Sequence, residues 1–347
     1  MFHNASRRSV IARLGAAALM AASLLPALPA AAQVGLQRSA WAGADVGVPE
    51  GVIWYPSPAP ATPQRFGPFE VAVTPGAPVT PGVRPLVLIS HGTGGHELGH
   101  AWLARQLAAE GFLVLSVRHP GDHFQDRSGV TRPDYLAERP RQLSRALDAL
   151  LADPQWGPQV DTRRIAAVGH SAGGHTVLAL AGGQPDRVRL VNHCSAAGAG
   201  LQGDAAMCRL GGFSPDKPAP VLPAGSAALP SVKDARIRAV VAMSPLGQGL
   251  DLDTLAARVD VPVLIQASRR DEVLAHAFHG GALCAALPRA QCVTGDQAGH
   301  FAFFQAATGP MGAPGLDPAW DPAGFDRAAW QAETSARVLT FLKTALR

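Results

Sequence analysis

Arg164-Ile165-Ala166-Ala167-Val168-Gly169-His170-Ser171-Ala172-Gly173-Gly174 decides the reading of this chain. Arg164 to Val168 reads as a short strand, and Ala172 to Ala181 reads as a helix. Between them Gly169-His170-Ser171-Ala172-Gly173 matches G-x-S-x-G. A serine at that junction must occupy a sharp, strained turn, and the flanking glycines let strand and helix approach. The turn presents the Ser171 hydroxyl, and the helix N-terminus behind it favours negative charge nearby. Ser171 is therefore the candidate nucleophile.

The flanking sequence repeats the same alternation. Pro85-Leu86-Val87-Leu88-Ile89-Ser90 is a short apolar run, as expected for a strand buried on both faces. Trp102 to Glu110 carries Leu103 and Leu107 four apart, and Gly111 stops that helix. Phe112 to Val117 is the next strand, and Leu143, Leu147, Leu150 and Leu151 mark the inner face of another helix. Strands follow at Ile237 to Met243 and Val261 to Ser268. A last helix runs through Val338, Phe341, Leu342 and Ala345. Upstream, Gly51 to Tyr55 and Phe69 to Val73 read as two early strands. Repeated strand–helix units predict an α/β fold with a mainly parallel sheet flanked by helices. From about Gln184 to Val232 the alternation stops and Gly, Pro and Ala dominate. This insertion reads either as an irregular lid over the site or as a surface excursion away from it.

Composition narrows the function classes. The 347 residues are 47% hydrophobic and 16% charged, enough for one large domain with its own core. A net charge of +4 with no dense Lys/Arg run argues against nucleic acid as a partner. Arg7 and Arg8 precede an apolar run, Leu14 to Leu28, that ends at Ala30-Ala31-Ala32. This describes a cleavable signal peptide over residues 1–32, ahead of a domain at 33–347. The run is too short for a comfortable membrane span, so no stable anchor is expected. Ser6-Arg7-Arg8-Ser9-Val10-Ile11 also resembles a twin-arginine export signal, with Ala12 where lysine is usual. A periplasmic or extracellular location follows. The four cysteines, Cys194, Cys208, Cys284 and Cys292, then read as two disulfides. Of three possible pairings, Cys194–Cys208 with Cys284–Cys292 closes two short loops and is the expected one; no C-x-x-C spacing supports zinc.

A serine is a weak nucleophile without a base. His300, in Gly299-His300-Phe301, follows the last strand region and precedes the terminal helix, and is the candidate base. Asp271, in Ser268-Arg269-Arg270-Asp271-Glu272, lies just past a strand and is the candidate orienting acid. Glu272 is expected to point elsewhere. Asp251 and Asp253 are the reserves, and Asp296 is read as a loop residue. Two backbone N–H groups should meet an oxyanion: that of Ala172, and that of Thr93 in the loop His91-Gly92-Thr93-Gly94-Gly95. One motif competes. His96-Glu97-Leu98-Gly99-His100 fits the H-E-x-x-H of zinc peptidases, although Gly99 weakens the helix that must hold both ligands. Arg118-His119-Pro120-Gly121-Asp122-His123 follows a strand, and its His119, Asp122 and His123 are read as pocket lining.

Together these residues resemble the α/β-hydrolase superfamily, in which the nucleophile, acid and base follow in the order Ser, Asp, His. Within it, Val52-Ile53-Trp54-Tyr55-Pro56, Leu88-Ile89-Ser90-His91-Gly92-Thr93-Gly94-Gly95, Arg118-His119-Pro120-Gly121-Asp122 and Val168-Gly169-His170-Ser171-Ala172-Gly173-Gly174 are similar to two groups of bacterial exported proteins. These are the dienelactone-hydrolase-like and the platelet-activating-factor acetylhydrolase-like esterases. Dienelactone hydrolases use cysteine where this chain has Ser171. The acetylhydrolases take their acid one strand earlier, where this chain has Ser244. The resemblance implies cleavage of small-molecule or lipid-like carboxylic esters through an acyl-enzyme, by a monomer with no cofactor and no metal. A zinc peptidase through His96 and His100, or an inactive binding protein on the same scaffold, are the alternatives.

Overall fold

The described chain opens with four strands: β1 (Gln33–Arg38), β2 (Gly51–Ser57), β3 (Thr62–Phe66) and β4 (Phe69–Pro75). The alternating part follows, with β5 (Arg84–Ser90), α1 (Ala101–Ala109), β6 (Leu113–Val117), α2 (Tyr135–Ala152), β7 (Val160–His170) and α3 (Ala172–Leu180). Among the described residues of the insertion are two short helices, α4 (Arg187–His193) and α5 (Ala205–Leu210). The chain then runs through β8 (Ile237–Met243), α6 (Leu255–Arg258), β9 (Val263–Ser268), α7 (Gly280–Ala286), β10 (Gln291–Gly295) and α8 (Arg327–Ala345). This computed structural model describes Met1 and residues 33–39, 41, 47–195, 203–214, 229–312 and 317–347. The chain divides into two units, Met1–Ala30 and Ala31–Arg347, and all that follows concerns the second. The expected leader and the middle of the insertion lie outside the described residues.

The strands form one sheet in the order β10-β9-β8-β7-β5-β6-β2-β1-β4-β3. From β10 to β6 every neighbour is parallel. β2 then runs antiparallel to β6 and to β1. The alternation of side chains along each strand builds two cores, one on each face. Leu86, Leu88, Ile165 and Ala167 pack under α2 and α3 with Leu143, Leu147, Leu150 and Val177. Val87, Ile89, Ala166 and Val168 face the opposite way, onto Leu103 and Leu107 of α1 and Val338, Phe341 and Leu342 of α8. Each large side chain buried in this way contributes roughly 1.5–3 kcal/mol. No helix among the described residues is long and apolar enough to cross a membrane.

Three strands escape sequence reading. β3 contains Pro63 and is largely exposed, as an edge strand can be. β10 is a half-exposed strand at the opposite edge, and β1 begins at Gln33, right after the expected leader. Proline also sits inside α2, at Pro140. It has no N–H to give the carbonyl of Leu136, one turn back, and that oxygen instead accepts from His175 Nε2 of α3 at 2.9 Å. The gap in one helix thus becomes its tie to the next. The cysteines pair locally, Cys194 with Cys208 and Cys284 with Cys292.

Candidate active site

β7 delivers Ser171 at its C-terminal end. The residue adopts φ 58 and ψ −120, a left-handed conformation costly for any side chain. Close backbone contact imposes it. A Cβ on Gly169 would meet the Gly173 carbonyl oxygen at 2.0 Å, and one on Gly173 would meet that of Ser90 at 2.0 Å. The glycines flanking the serine are therefore steric requirements of the crossing of β7, α3 and β5.

His300 and Asp271 arrive from the two loops beyond β9 and β10. Asp271 Oδ2 lies 2.8 Å from His300 Nδ1, and the two side chains are 2% and 3% exposed. The other carboxylate oxygen accepts the backbone N–H groups of Val273 at 3.0 Å and Leu274 at 2.6 Å, which fixes the carboxylate plane. Glu272 departs from expectation. Its Oε2 accepts the backbone N–H of His300 at 2.8 Å, so the neighbouring acid holds the same residue by its main chain. Burial by itself would push the His300 imidazole down. The charge and hydrogen bond of Asp271, helped by Glu272, outweigh it and hold the ring above its ordinary value.

Ser171 and His300 open onto one cavity of about 920 Å³, and Thr93 and Ala172 line it too. Among the described residues, the backbone N–H groups of Thr93 and Ala172 and the hydroxyl of Ser171 donate to no protein acceptor. Buried backbone donors are otherwise nearly always paired. The remaining lining is mostly apolar. Leu190, Met207, Leu210 and Phe213 of the insertion contribute to it, together with Phe69, Leu98 and Phe304.

The other sequence candidates fall elsewhere. Asp251 accepts N–H groups of Asp253 and Thr254 at the start of α6, and exposed Asp296 pairs with Arg269. Ser244 stands after β8, with no carboxylate in its place. His96 and His100 do not share a helix, because α1 begins only at Ala101. His96 Nδ1 accepts from the Leu98 N–H, His100 Nδ1 bonds the Phe303 carbonyl, and Glu97 is buried against Arg118. The sequence reading of His119, Asp122 and His123 as pocket lining needs correction. None of them lines the cavity; His119 and Asp122 are buried behind the Thr93 loop.

A second buried cluster carries no sequence motif: in it Asp204 Oδ2 meets His193 Nε2 at 3.0 Å and His279 Nε2 at 2.5 Å. Its other oxygen accepts the Ala275 N–H at 2.9 Å. These three side chains lie close enough together to hold a metal ion, but their hydrogen bonding is that of a strut. The Gly247 N–H points at His279 Nδ1 at 3.0 Å, so the proton sits on Nε2 and is given to Asp204. The strut joins the insertion to the segment that carries Asp271. Burial opposes the charge on Asp204, but the bonds from His193 and His279 hold its carboxyl well below the usual carboxylate range.

A parallel sheet whose central strand ends in a strained serine elbow defines the α/β-hydrolase class. The chain belongs to the alpha/beta hydrolase family, whose family model matches residues 86–309. Similar proteins include cutinase 2 of Thermobifida cellulosilytica, 34% identical over 102 residues, which cover 29% of this chain and 35% of that protein. Cutinase cut1 of Thermobifida fusca is 34% identical over 102 residues, 29% of each chain. The bis(hydroxyethyl) terephthalate hydrolase of Streptomyces coelicolor is 31% identical over 99 residues, 28% of this chain and 29% of that protein. The match thus spans about a third of the length of these relatives.

Proposed function

We propose that this protein is an exported serine hydrolase that cleaves carboxylic esters through an acyl-enzyme. The observation that carries the reading is a strained Ser171 sharing a cavity with His300, whose far nitrogen is bonded to buried Asp271. In this mechanism Ser171 Oγ attacks the ester carbonyl carbon while His300 Nε2 takes the hydroxyl proton. The carbonyl oxygen becomes an oxyanion that accepts the N–H groups of Ala172 and Thr93, each worth about 2.7–4 kcal/mol in the transition state. Collapse expels the alcohol, which takes the proton from His300. Water, activated by the same imidazole, then releases the acid and regenerates Ser171. Asp271 keeps the ring in the tautomer that leaves Nε2 free and stabilises the imidazolium as it forms.

The apolar cavity suits small-molecule or lipid-like esters with an apolar acyl or alcohol part, and the names of the similar proteins point to the same bond type. The leader-like N-terminus and two disulfides support export. A fluorophosphonate probe tests the central claim. Ser171 Oγ should displace fluoride and retain the phosphonyl group, and Ser171→Ala should lose labelling and p-nitrophenyl butyrate hydrolysis while staying folded. Turnover retained by purified Ser171→Ala would end this reading.

A further inference from the structure

Behind the Thr93 loop lies a buried polar network that the mechanism above leaves without a task. Asp122 and Arg139 form an ion pair in which each side chain is only 2% exposed. They grip opposite ends of the loop. Arg139 donates to the His91 carbonyl and reaches Ser90 Oγ at 3.3 Å. Asp122 Oδ1 accepts the Gly94 N–H at 2.7 Å. The other Asp122 oxygen accepts the Tyr135 hydroxyl at 2.7 Å, and the Tyr135 oxygen lies 2.9 Å from Thr93 Oγ1. Since the Tyr135 proton is committed to the carboxylate, Thr93 is the donor in the second bond. Residues 91, 93 and 94 are thus each held from behind, by carbonyl, side chain and N–H respectively.

A buried ion pair is a poor source of stability, because desolvation offsets most of its attraction. It does fix geometry, and geometry is what an oxyanion donor needs, since a donor aimed in advance costs no reorganisation during reaction. Tyr135 sits where both tasks meet: its ring lines the cavity and its hydroxyl links Thr93 to Asp122. We propose that Tyr135 and Asp122, locked by Arg139, are positioning residues that act through Thr93 and hold its N–H where the oxyanion forms. The inference rests on the serine-esterase reading. Burial raises the Tyr135 hydroxyl well above its ordinary value, so it remains a donor across the working pH range.

Tyr135→Phe, Thr93→Val and the double variant test this. Each would be assayed on p-nitrophenyl butyrate and with a trifluoromethyl ketone inhibitor. That inhibitor forms a bond from Ser171 Oγ to its carbonyl carbon, moves the proton to His300, and leaves an alkoxide in the oxyanion position. Each single variant should lose about tenfold to hundredfold in kcat with KM within about twofold. The inhibition constant should rise by the same factor as kcat/KM falls. The double variant should be no worse than about twofold below the poorer single, because both act on one bond. Thr93→Ser, which restores the hydroxyl, should recover most of the loss seen in Thr93→Val. Unchanged kcat, a change confined to KM, or multiplying single effects would overturn the proposal. Should Tyr135→Phe not fold, the comparison of Thr93→Val with Thr93→Ser decides alone. An active Ser171→Ala would instead sink the esterase reading itself. An inactive Ser171→Ala beside a wild-type-like Tyr135→Phe would sink only the positioning role.

Discussion

Asp271 reaches His300 through the imidazole at 2.8 Å, from a loop one strand away, and its neighbour Glu272 holds the same histidine by its backbone. Two adjacent acids therefore do separable things to one residue. Asp271→Asn should lower kcat by roughly 10⁴ by favouring the wrong imidazole tautomer. Glu272→Gln keeps an acceptor for the His300 N–H and should cost far less. Asp251→Asn and Asp253→Asn, whose parents sit around the start of α6, should leave kcat near wild type. Steady-state kinetics on the four variants would check the order, and a larger loss at Asp251 than at Asp271 would refute the acid assignment.

The direction of the His300 shift sets the pH profile. In the proposed mechanism His300 must be neutral to take the Ser171 proton, and the Asp271 charge keeps it protonated to a higher pH than a free imidazole. The value of kcat/KM should therefore fall on the acid side through an apparent pKa above about 6.5. In residual-activity Asp271→Asn protein that limb should move to lower pH. A limb that stays in place would show that another group controls it.

Stability should run against acid for a different reason. Burial pushes His91, His119 and His170 well below their ordinary values, and His100 and His175 down to about 4. Each is lower folded than unfolded, so each contributes stability that is complete above about pH 6.5 and is lost as pH falls toward the folded value. For His100 and His175 this is on the order of 2 kcal/mol each between pH 6.5 and 4.5. His300 has the opposite sign, but it is one group against five. Urea midpoints should therefore drop steeply between pH 6.5 and 4.5 with little change in slope; a flat midpoint would contradict the neutral burial of these rings.

The Asp204 strut gives a test that separates metal from hydrogen bonding. Exhaustive EDTA treatment should change neither initial rate nor melting temperature. Asp204→Ala should destabilise by about 3 kcal/mol, since it leaves His193 and His279 buried without their acceptor. A chelation-dependent melting temperature, restored by zinc, would show that these rings ligate an ion after all.

Much of this was legible because backbone sterics write themselves into sequence. A Cβ at Gly169 or Gly173 would fall 2.0 Å from a backbone oxygen, so the glycine pair marks the elbow around Ser171 in the sequence. Asp271, His300 and Thr93 are singled out by their place after particular strands; Asp271 meets the His300 imidazole, and Thr93 and His300 line one cavity. Glu272 was not, because side-chain direction within a loop depends on contacts that no periodicity encodes. The Asp122–Tyr135–Arg139 network was invisible for a related reason. Its members are polar residues far apart in sequence, and polar patterning normally signals solvent rather than a core. The Asp204 strut likewise joins α4, the head of α5 and the residues before α7.

The two cross-links sit at the margins. One joins the end of α4 to α5 within the insertion, and the other ties α7 to the edge strand β10. Neither has a cysteine in β5, β7 or the elbow. For anyone producing the protein, the choice of host compartment therefore matters unevenly. Material made in a reducing cytoplasm should contain the sheet and a Ser171 that reacts with a phosphonate, yet a loosened insertion. An active-site titration would then pass a preparation whose substrate preference differs from that of the oxidised form, so titre and selectivity should be measured separately on both.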